Sequence, residues 1–314
     1  MRYFLLILSL IFVISCSNHT DRIPKYGKFE NAWEKDNLFG KIEELTEYKA
    51  SFSDFQNKNT ETPIPVFRKH YTEFGKILFQ EHYDNFGNID QIIKNEFNDK
   101  QQIIKSFSEN MIMSHKSIEL HEYDDSGNVI FTKAIFNDSI ELIGKFEYDR
   151  LNNLSKQLSI QNSDTSITRF EYTYNEKGNI LLKKQITKDR NSIYEYFNEF
   201  KYDSQGNLLE LTNKSDLFGE VKITYEYDNL NRIKKKIEYE SGQISKETQF
   251  DKYYNLLSIK YFESSALKKE MKYKYEFDNN GNWISRTAYL KEYFGESKKF
   301  QPMFIESREI EYYE

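Results

Sequence analysis

The sequence predicts an all-β protein, an antiparallel meander of repeated hairpins that forms either a twisted sheet or an open β-solenoid. Two observations predict this class. A turn motif, Y-D-x-x-G-N-L, recurs along the chain, and the segments between its copies alternate apolar and polar residues with a period of two. The composition agrees, because the 314 residues include 24 Tyr and 25 Phe, and aromatic residues favour pleated, half-buried surfaces.

The N-terminus reads as a targeting segment rather than as part of the fold. Arg2 precedes an apolar run, residues 3–14, that is too short to span a bilayer comfortably. Ser15-Cys16 then resembles a bacterial lipobox, in which the signal is cut before the Cys and the Cys is acylated, although Ile14 replaces the usual small residue. We therefore predict a signal peptide over residues 1–15 and lipidation of Cys16. A plain secretion signal, or an anchor that happens to contain a Cys, is the alternative.

This interpretation divides the chain into three parts. Residues 1–15 are removed, residues 16–35 form a lipid-anchored polar tether, and residues 36–314 form a single β domain. The expected location is the cell envelope, with the lipid in the outer membrane. Several acyl chains give stable anchoring, because each buried methylene contributes about 0.8 kcal/mol.

The turns share one local chemistry. Asp opens a type I turn by accepting bonds from the backbone ahead, and Gly then takes the left-handed conformation of a G1 bulge. Asn is the commonest substitute for that Gly. The turns align on the following residues: Gly40, Gly75, Gly87, Gly127, Asn152, Gly178, Gly206, Gly219, Asn231 and Gly281. Gln101 and Tyr254 break the rule, so we predict longer or differently shaped turns there.

The strands between the turns pack on one face only. Val221, Ile223, Tyr225 and Tyr227 share one face, opposite Lys and Glu. We therefore predict an aromatic ladder on the packed face and a wet, charged face behind it, with each cross-strand pair contributing roughly 0.2–1 kcal/mol.

The repeated Y-D-x-x-G-N-L motif resembles the RHS/YD-repeat family over most of residues 36–290. The resemblance implies a long, strongly twisted antiparallel sheet that can spiral into a shell. Large members of that family enclose and release a C-terminal toxin. This chain is short and its last residues, 308–314, read as another strand, so toxin delivery is not implied. The nearer resemblance is to small YD-repeat lipoproteins of diderm bacteria.

The sequence offers no catalytic or metal-binding motif, and we predict a protein that is not an enzyme and has no cofactor. The turns carry too few acidic groups for calcium, which needs six or more oxygens. His70 and His82 share a parity but lie too far apart along the chain to bind one metal. With 44 Lys+Arg against 50 Asp+Glu, no nucleic-acid partner is expected either.

Two insertions interrupt the repeat, over residues 53–65 and 291–303. The second contains the candidate binding residues Tyr293, Phe294, Lys298, Lys299 and Phe300. We expect them either to cap the last open edge of the sheet, which is the favoured interpretation, or to bind a glycan or an envelope protein.

The predicted function is that of an acylated cell-envelope module for binding or structure, with the membrane as a partner through the lipid. A hydrolase of envelope polysaccharide and a partial shell for a separately encoded cargo are the alternatives. Closure of the sheet would favour the shell over an open platform.

Overall fold

The computed structural model describes residues 32–54, 59–137, 140–161, 164–190, 192–215, 219–294 and 299–314. The signal peptide, Cys16 and Lys298 lie outside these residues. The described chain begins with one four-residue helix, α1 (Ala32–Lys35). No helix in the described ranges is long and apolar enough to cross a membrane.

Strands make up nearly all of the rest. They are β1 (Ile42–Asp54), β2 (Asn59–Thr60), β3 (Ile64–Tyr71), β4 (Ile77–Tyr83), β5 (Ile89–Phe97), β6 (Ile103–Asn110), β7 (His115–Tyr123), β8 (Val129–Phe136), β9 (Ile140–Tyr148), β10 (Leu154–Gln161), β11 (Asp164–Tyr174), β12 (Ile180–Lys188), β13 (Ile193–Tyr202), β14 (Leu208–Ser215), β15 (Gly219–Tyr227), β16 (Ile233–Glu240), β17 (Gln243–Phe250), β18 (Leu256–Glu263), β19 (Ala266–Phe277), β20 (Trp283–Glu292) and β21 (Gln301–Tyr312). The prediction of an all-β antiparallel meander is confirmed.

The sheet closes, and here the prediction of an open solenoid or twisted sheet is wrong. β1 pairs with β21 from Ile42↔Tyr312 to Ser51↔Phe304, and its other edge pairs with β3. Consecutive strands from β3 to β21 are joined in the same way, which gives a barrel of 20 strands. The two-residue β2 pairs only with the end of β1. Closure leaves no edge in the barrel to template aggregation.

The turn motif marks one end of this barrel. Nine turns with the same backbone bonds connect strands at that end, which we call the motif end, and they span residues 72–76, 98–102, 124–128, 149–153, 175–179, 203–207, 228–232, 251–255 and 278–282. The other end, the loop end, carries the two insertions, the turn at 84–88 and shorter, more varied connections. The motif therefore recurs once for each hairpin, rather than once for each strand.

The N-terminal residues 32–40 lie across the closing pair of strands at the motif end, and we call them the strap. The backbone N–H of Ala32 donates to the carbonyl of Gly75, and the N–H of Phe39 donates to Asn282 on the far side of β1 and β21. Trp33 packs in a core that includes Ile42, Leu45 and Tyr71. The strap thus links the first and last motif turns over the strands that close the barrel.

The two faces of the sheet differ in burial. On the face that carries the motif tyrosines, Phe146, Leu208 and Trp283 are 3–5% exposed. On the opposite face, Leu181 and Leu209 are 40% exposed, and Lys–Glu ion pairs such as Lys156–Glu147 run between strands. Closing a sheet crowds the side chains on its concave side, so the more buried face must point into the barrel. We call this inner face the aromatic face and the outer one the charged face.

Candidate functional site

The motif turns owe their shape to one side-chain oxygen of the opening residue, which belongs to a carboxylate, an amide or, at Thr72, a hydroxyl. In the turn at 203–207, Asp203 accepts from the backbone N–H of Gln205 and of Asn207, and Gly206 has a φ of 91°. Burial by itself would raise the pKa of Asp203, but the bonds from the side chain and backbone of Asn207 outweigh it and lower the pKa. The predicted type I turn with a left-handed fourth residue is confirmed.

Gln101 and Tyr254 do not change the turn, so the prediction of longer or differently shaped turns is wrong. Both residues have positive φ, 59° and 66°. Each donates its N–H to the first residue of its own turn, as Gly206 does. The hydrogen bonds of the opening Asn or Asp hold a residue with Cβ in the left-handed conformation, a strain of about 1–2 kcal/mol.

Tyrosine hydroxyls join neighbouring hairpins at the motif end. The O–H of Tyr227 donates to the carbonyl of Leu208 at 2.7 Å, beyond the last ladder pair of β14 and β15. Other repeats make the same kind of bond between these pairs: Tyr123 and Ile103, Tyr148 and Val129, Tyr172 and Leu154, Tyr202 and Ile180, Tyr275 and Leu256. The tyrosines therefore serve as caps for carbonyls that the splayed strands leave unpaired.

Asparagine side chains tie adjacent motif turns together. The fifth residue of one turn, Asn128, donates to the fourth residue of the next turn, Asn152, and Asn207 donates to Asn231 in the same way. Asn179 makes no such bond. Its amide is 1% exposed and has no partner among the described residues, because the fourth residue of the next turn is Gly206, which has no side chain to offer.

The structure brings most of the predicted binding residues together at the loop end. Tyr293, Phe294 and Phe300 lie beside β19, each under a lysine ammonium. Phe294 is 70% exposed, with Lys268 Nζ 4.1 Å from its ring centroid. Tyr293 donates its O–H to Glu270, 2.9 Å away. Lys299 is exposed beside Phe300. The segment therefore presents aromatic and cationic groups on the outside of the barrel.

This segment does not cap an open edge, so the favoured interpretation of it is wrong. β21 pairs with β20 on one side and with β1 on the other. The sequence could not show this, because the closing pair joins residues about 260 positions apart, as in Tyr48 and Glu309.

A second candidate surface, which the sequence alone did not predict, lies on the aromatic face. In β10 to β14, eight inward positions carry uncharged hydrogen-bonding side chains, which we call the amide–hydroxyl patch: Gln157, Ser159, Thr168, Gln185, Thr187, Tyr196, Asn198 and Asn213. Lys183 of β12 borders the patch on the same face, opposite Asn198. All eight patch residues are half-buried. The signal was present as amides at positions where the alternation demands apolar residues.

The patch forms its own bonds and remains open to solvent. Gln157 Nε2 donates to Ser159 Oγ at 3.1 Å, the hydroxyls of Thr168 and Thr187 are 3.0 Å apart, and Asn198 donates to Asn213. These contacts fix the side chains in place, while each hydroxyl and amide keeps further donor or acceptor positions. Phe170, opposite Gln185 in the ladder, adds an aromatic ring.

Metal coordination has no support in the described ranges, where no group of three or more His, Cys, Asp or Glu side chains could hold an ion. His82 pairs with Phe67 and His70 pairs with Phe79 in the ladder of β3 and β4, which puts the two histidines on opposite faces. Their predicted common parity is therefore wrong. Burial lowers the pKa of both His82 and His121.

No protein-family model and no curated protein sequence matches this chain. Among solved structures, the chain is similar to a porin-like protein from Bacteroides uniformis ATCC 8492, with 13% sequence identity over 86% of this chain and 98% of that one, and a TM-score of 0.36. It is also similar to TcdB2-TccC3-TEV, with 13% identity over 72% of this chain and 15% of that one, and a TM-score of 0.25.

Both similarities are weak, so the RHS/YD resemblance stays a prediction of the repeated motif. A 20-strand β-barrel is compatible with a place in the cell envelope. Lipid anchoring stays a prediction of the sequence around Cys16.

Proposed function

We propose that this protein is a lipid-anchored barrel of the cell envelope that binds a neutral, hydroxyl-rich ligand, such as an oligosaccharide, on its concave face. One observation carries the proposal. In a chain with 30% charged residues, the amide–hydroxyl patch presents eight uncharged polar side chains on five adjacent strands.

The chemistry of the patch selects the ligand class. Sugar hydroxyls both donate and accept hydrogen bonds, and side-chain amides and hydroxyls can answer both roles. Tyr196 and Phe170 supply rings on which an apolar sugar face can pack. A cationic ligand would meet the like charge of Lys183, whose ammonium lies 4.9 Å from the centroid of the Phe170 ring. The patch has no carboxylate or imidazole for acid–base chemistry, so we propose binding rather than hydrolysis.

The size of the barrel argues against the alternative function, a partial shell for a separately encoded cargo protein. Twenty strands spaced about 4.8 Å apart and tilted by about 40° give a circular barrel with a radius of about 20 Å at the backbone. Inward-pointing side chains fill about half of that radius, which leaves a lumen with a radius of about 10 Å. A folded domain of about 100 residues has a radius of gyration near 13 Å, so it does not fit. An extended oligosaccharide or peptide does.

The charged face suggests that the barrel stands in water. Ion pairs such as Lys184–Glu195 and Lys201–Glu210 lie on it, and a lysine facing lipid at the bilayer midplane would cost about 2–4 kcal/mol. We therefore assign membrane attachment to the lipid on Cys16. Cys16→Ser should move the protein from the membrane fraction to the soluble fraction or leave it as uncut precursor. Membrane retention of a correctly cleaved mutant would contradict the anchor.

Ligand binding can be tested on a glycan array, followed by titration calorimetry of any hit. Gln185→Ala together with Asn198→Ala should reduce affinity for a neutral oligosaccharide at least tenfold. The matched control is Lys184→Ala, because Lys184 is the neighbour of Gln185 in β12 but points to the charged face, where it pairs with Glu195. Equal affinity in the double variant and the parent would refute the patch as the site, provided that both keep the parent's circular dichroism spectrum.

A further inference from the structure

A groove of about 570 Å³ opens at the motif end between the turns at 72–76 and 98–102. Phe74, Leu78 and Phe97 form its apolar part, and Glu73, Glu96 and Asp99 line it with carboxylates. Phe74 is 61% exposed and Leu78 is 46% exposed. Large apolar side chains so exposed beside carboxylates suit a ligand that is both apolar and cationic.

The groove exists because the repeat fails at this point. Phe97 stands where four other repeats place a carbonyl-capping tyrosine, and the carbonyl of Ile77 accepts from Asn95 Nδ2 instead, at 2.8 Å. Lys76 and Gln101 occupy the two positions that hold the bonded pair Asn128 and Asn152 elsewhere. The tyrosine cap and the Asn–Asn bond, which join neighbouring turns in other repeats, are therefore both replaced here.

The charge of the groove is negative and partly uncompensated. Glu96 pairs with Lys105 on the exposed outer surface. Glu73 and Asp99 make no ion pair among the described residues, and neither Lys76 nor Lys100 of the same turns lines the groove. An ammonium or guanidinium group placed there would gain a charge-assisted bond to a carboxylate and a contact with the face of Phe74.

A matching segment precedes the strap in the sequence. Residues 22–29 read Arg-Ile-Pro-Lys-Tyr-Gly-Lys-Phe, with three cations, two aromatic residues and no acid. The described chain begins at Ala32, whose N–H donates to the carbonyl of Gly75 at 2.8 Å. Gly75 directly follows Phe74, so residue 32 already lies beside the groove. Only two residues separate Phe29 from Ala32, the first residue of the strap, so Phe29 can lie at most about 10 Å from it.

We propose that the groove binds the chain's own residues 22–29, with Arg22, Lys25 or Lys28 on its carboxylates and an aromatic ring against Phe74 and Leu78. This contact does not depend on what the amide–hydroxyl patch binds. If Cys16 is lipidated, as proposed above, binding of residues 22–29 to the groove leaves only residues 16–21 as a free tether, which spans about 20 Å at full extension. The motif end would then be held next to the membrane.

Trypsin tests the proposal, because it cleaves after Arg22, Lys25 and Lys28. The full chain is digested briefly at low salt, and the release of N-terminal peptides is followed by mass spectrometry. Cleavage at these three sites should be slow in the parent and about tenfold faster in Glu73→Gln with Asp99→Asn. Raising the salt to about 0.5 M should accelerate it in the parent as well, since exposed charges are then screened.

The matched control is Asp125→Asn with Glu176→Gln, because these acids occupy the same turn position in two other repeats. It should leave the cleavage rate unchanged. Adding an excess of the free 22–29 peptide should compete for the groove and accelerate cleavage in the parent. Fast cleavage in the parent, or protection that survives the groove substitutions, would overturn the proposal. Equal acceleration by the control would overturn it too, because the effect would then be one of net charge.

Discussion

Gly206→Asn should stabilise this protein, although it places a side chain at a φ of 91°. The neighbouring repeats show why. Where the fourth turn residue is Asn152 or Asn231, its side-chain oxygen accepts from the side-chain amide of Asn128 or Asn207 in the preceding turn, at 2.8 and 3.0 Å. At Gly206 that oxygen is missing, and the amide of Asn179 is buried without a partner in the described structure.

The magnitude follows from three contributions. A hydrogen bond to an otherwise unsatisfied buried amide is worth about 1–3 kcal/mol. Replacing Gly restricts the unfolded chain and contributes about 0.4–1 kcal/mol. The left-handed conformation costs a residue with Cβ about 1–2 kcal/mol, and less for Asn, whose side chain can bond locally. The sum is a gain of about 1 kcal/mol for Asn, against a loss of about 1 kcal/mol for Gly206→Ala.

Urea denaturation followed by tryptophan fluorescence measures both changes. Gly178→Asn is the matched control, because Asn153 of the preceding turn already donates to the hydroxyl of Tyr174 and an added Cβ at Gly178 meets no atom within 4 Å. It should gain no comparable bond. In the Asn179→Ala background, Gly206→Asn should lose about 1 kcal/mol of its benefit. If Asn and Ala at 206 give the same stability, the link between turns is refuted.

Three further changes test other parts of the fold. Tyr227→Phe should cost about 1 kcal/mol in urea denaturation, because the carbonyl of Leu208 loses its cap, whereas an unchanged midpoint would contradict the capping role. The side chain of Arg232 lowers the pKa of Asp228 to about 2, below the unfolded value near 3.9. Its contribution is therefore complete above about pH 4 and is lost as the pH falls through about 2, so Asp228→Asn should flatten the acid unfolding curve in that window. Alanine at Tyr293, Phe294 and Phe300 together should leave far-UV circular dichroism unchanged, because the segment caps no edge; unfolding would show that it is structural.

Local chemistry made most of the fold predictable. Asp203, Gly206 and Asn207 lie within five positions of one another, and their bonds are made within the turn. The same holds for the alternation in β15, where successive side chains must point to opposite faces. Such features need no knowledge of the rest of the chain, which is why the turn type and the strand class were predicted correctly.

Closure and the candidate sites depend on contacts that no local pattern encodes. The pairing of β1 with β21 is favourable because the accumulated twist and stagger of 18 intervening barrel strands bring the two edges together. Gln101 and Tyr254 were mispredicted because turn propensity describes a residue in isolation, whereas the hydrogen bonds of the opening residue fix the backbone at these two positions.

Repeat proteins use regular positions to build the fold, and in this one the irregular positions are informative about function. Phe97 in place of a capping tyrosine opens the acidic groove, and amides in place of aliphatic residues create the uncharged patch. Departures from the repeat should therefore be interpreted with the register of the sheet, which shows whether a substitution faces the lumen, the solvent or a neighbouring turn.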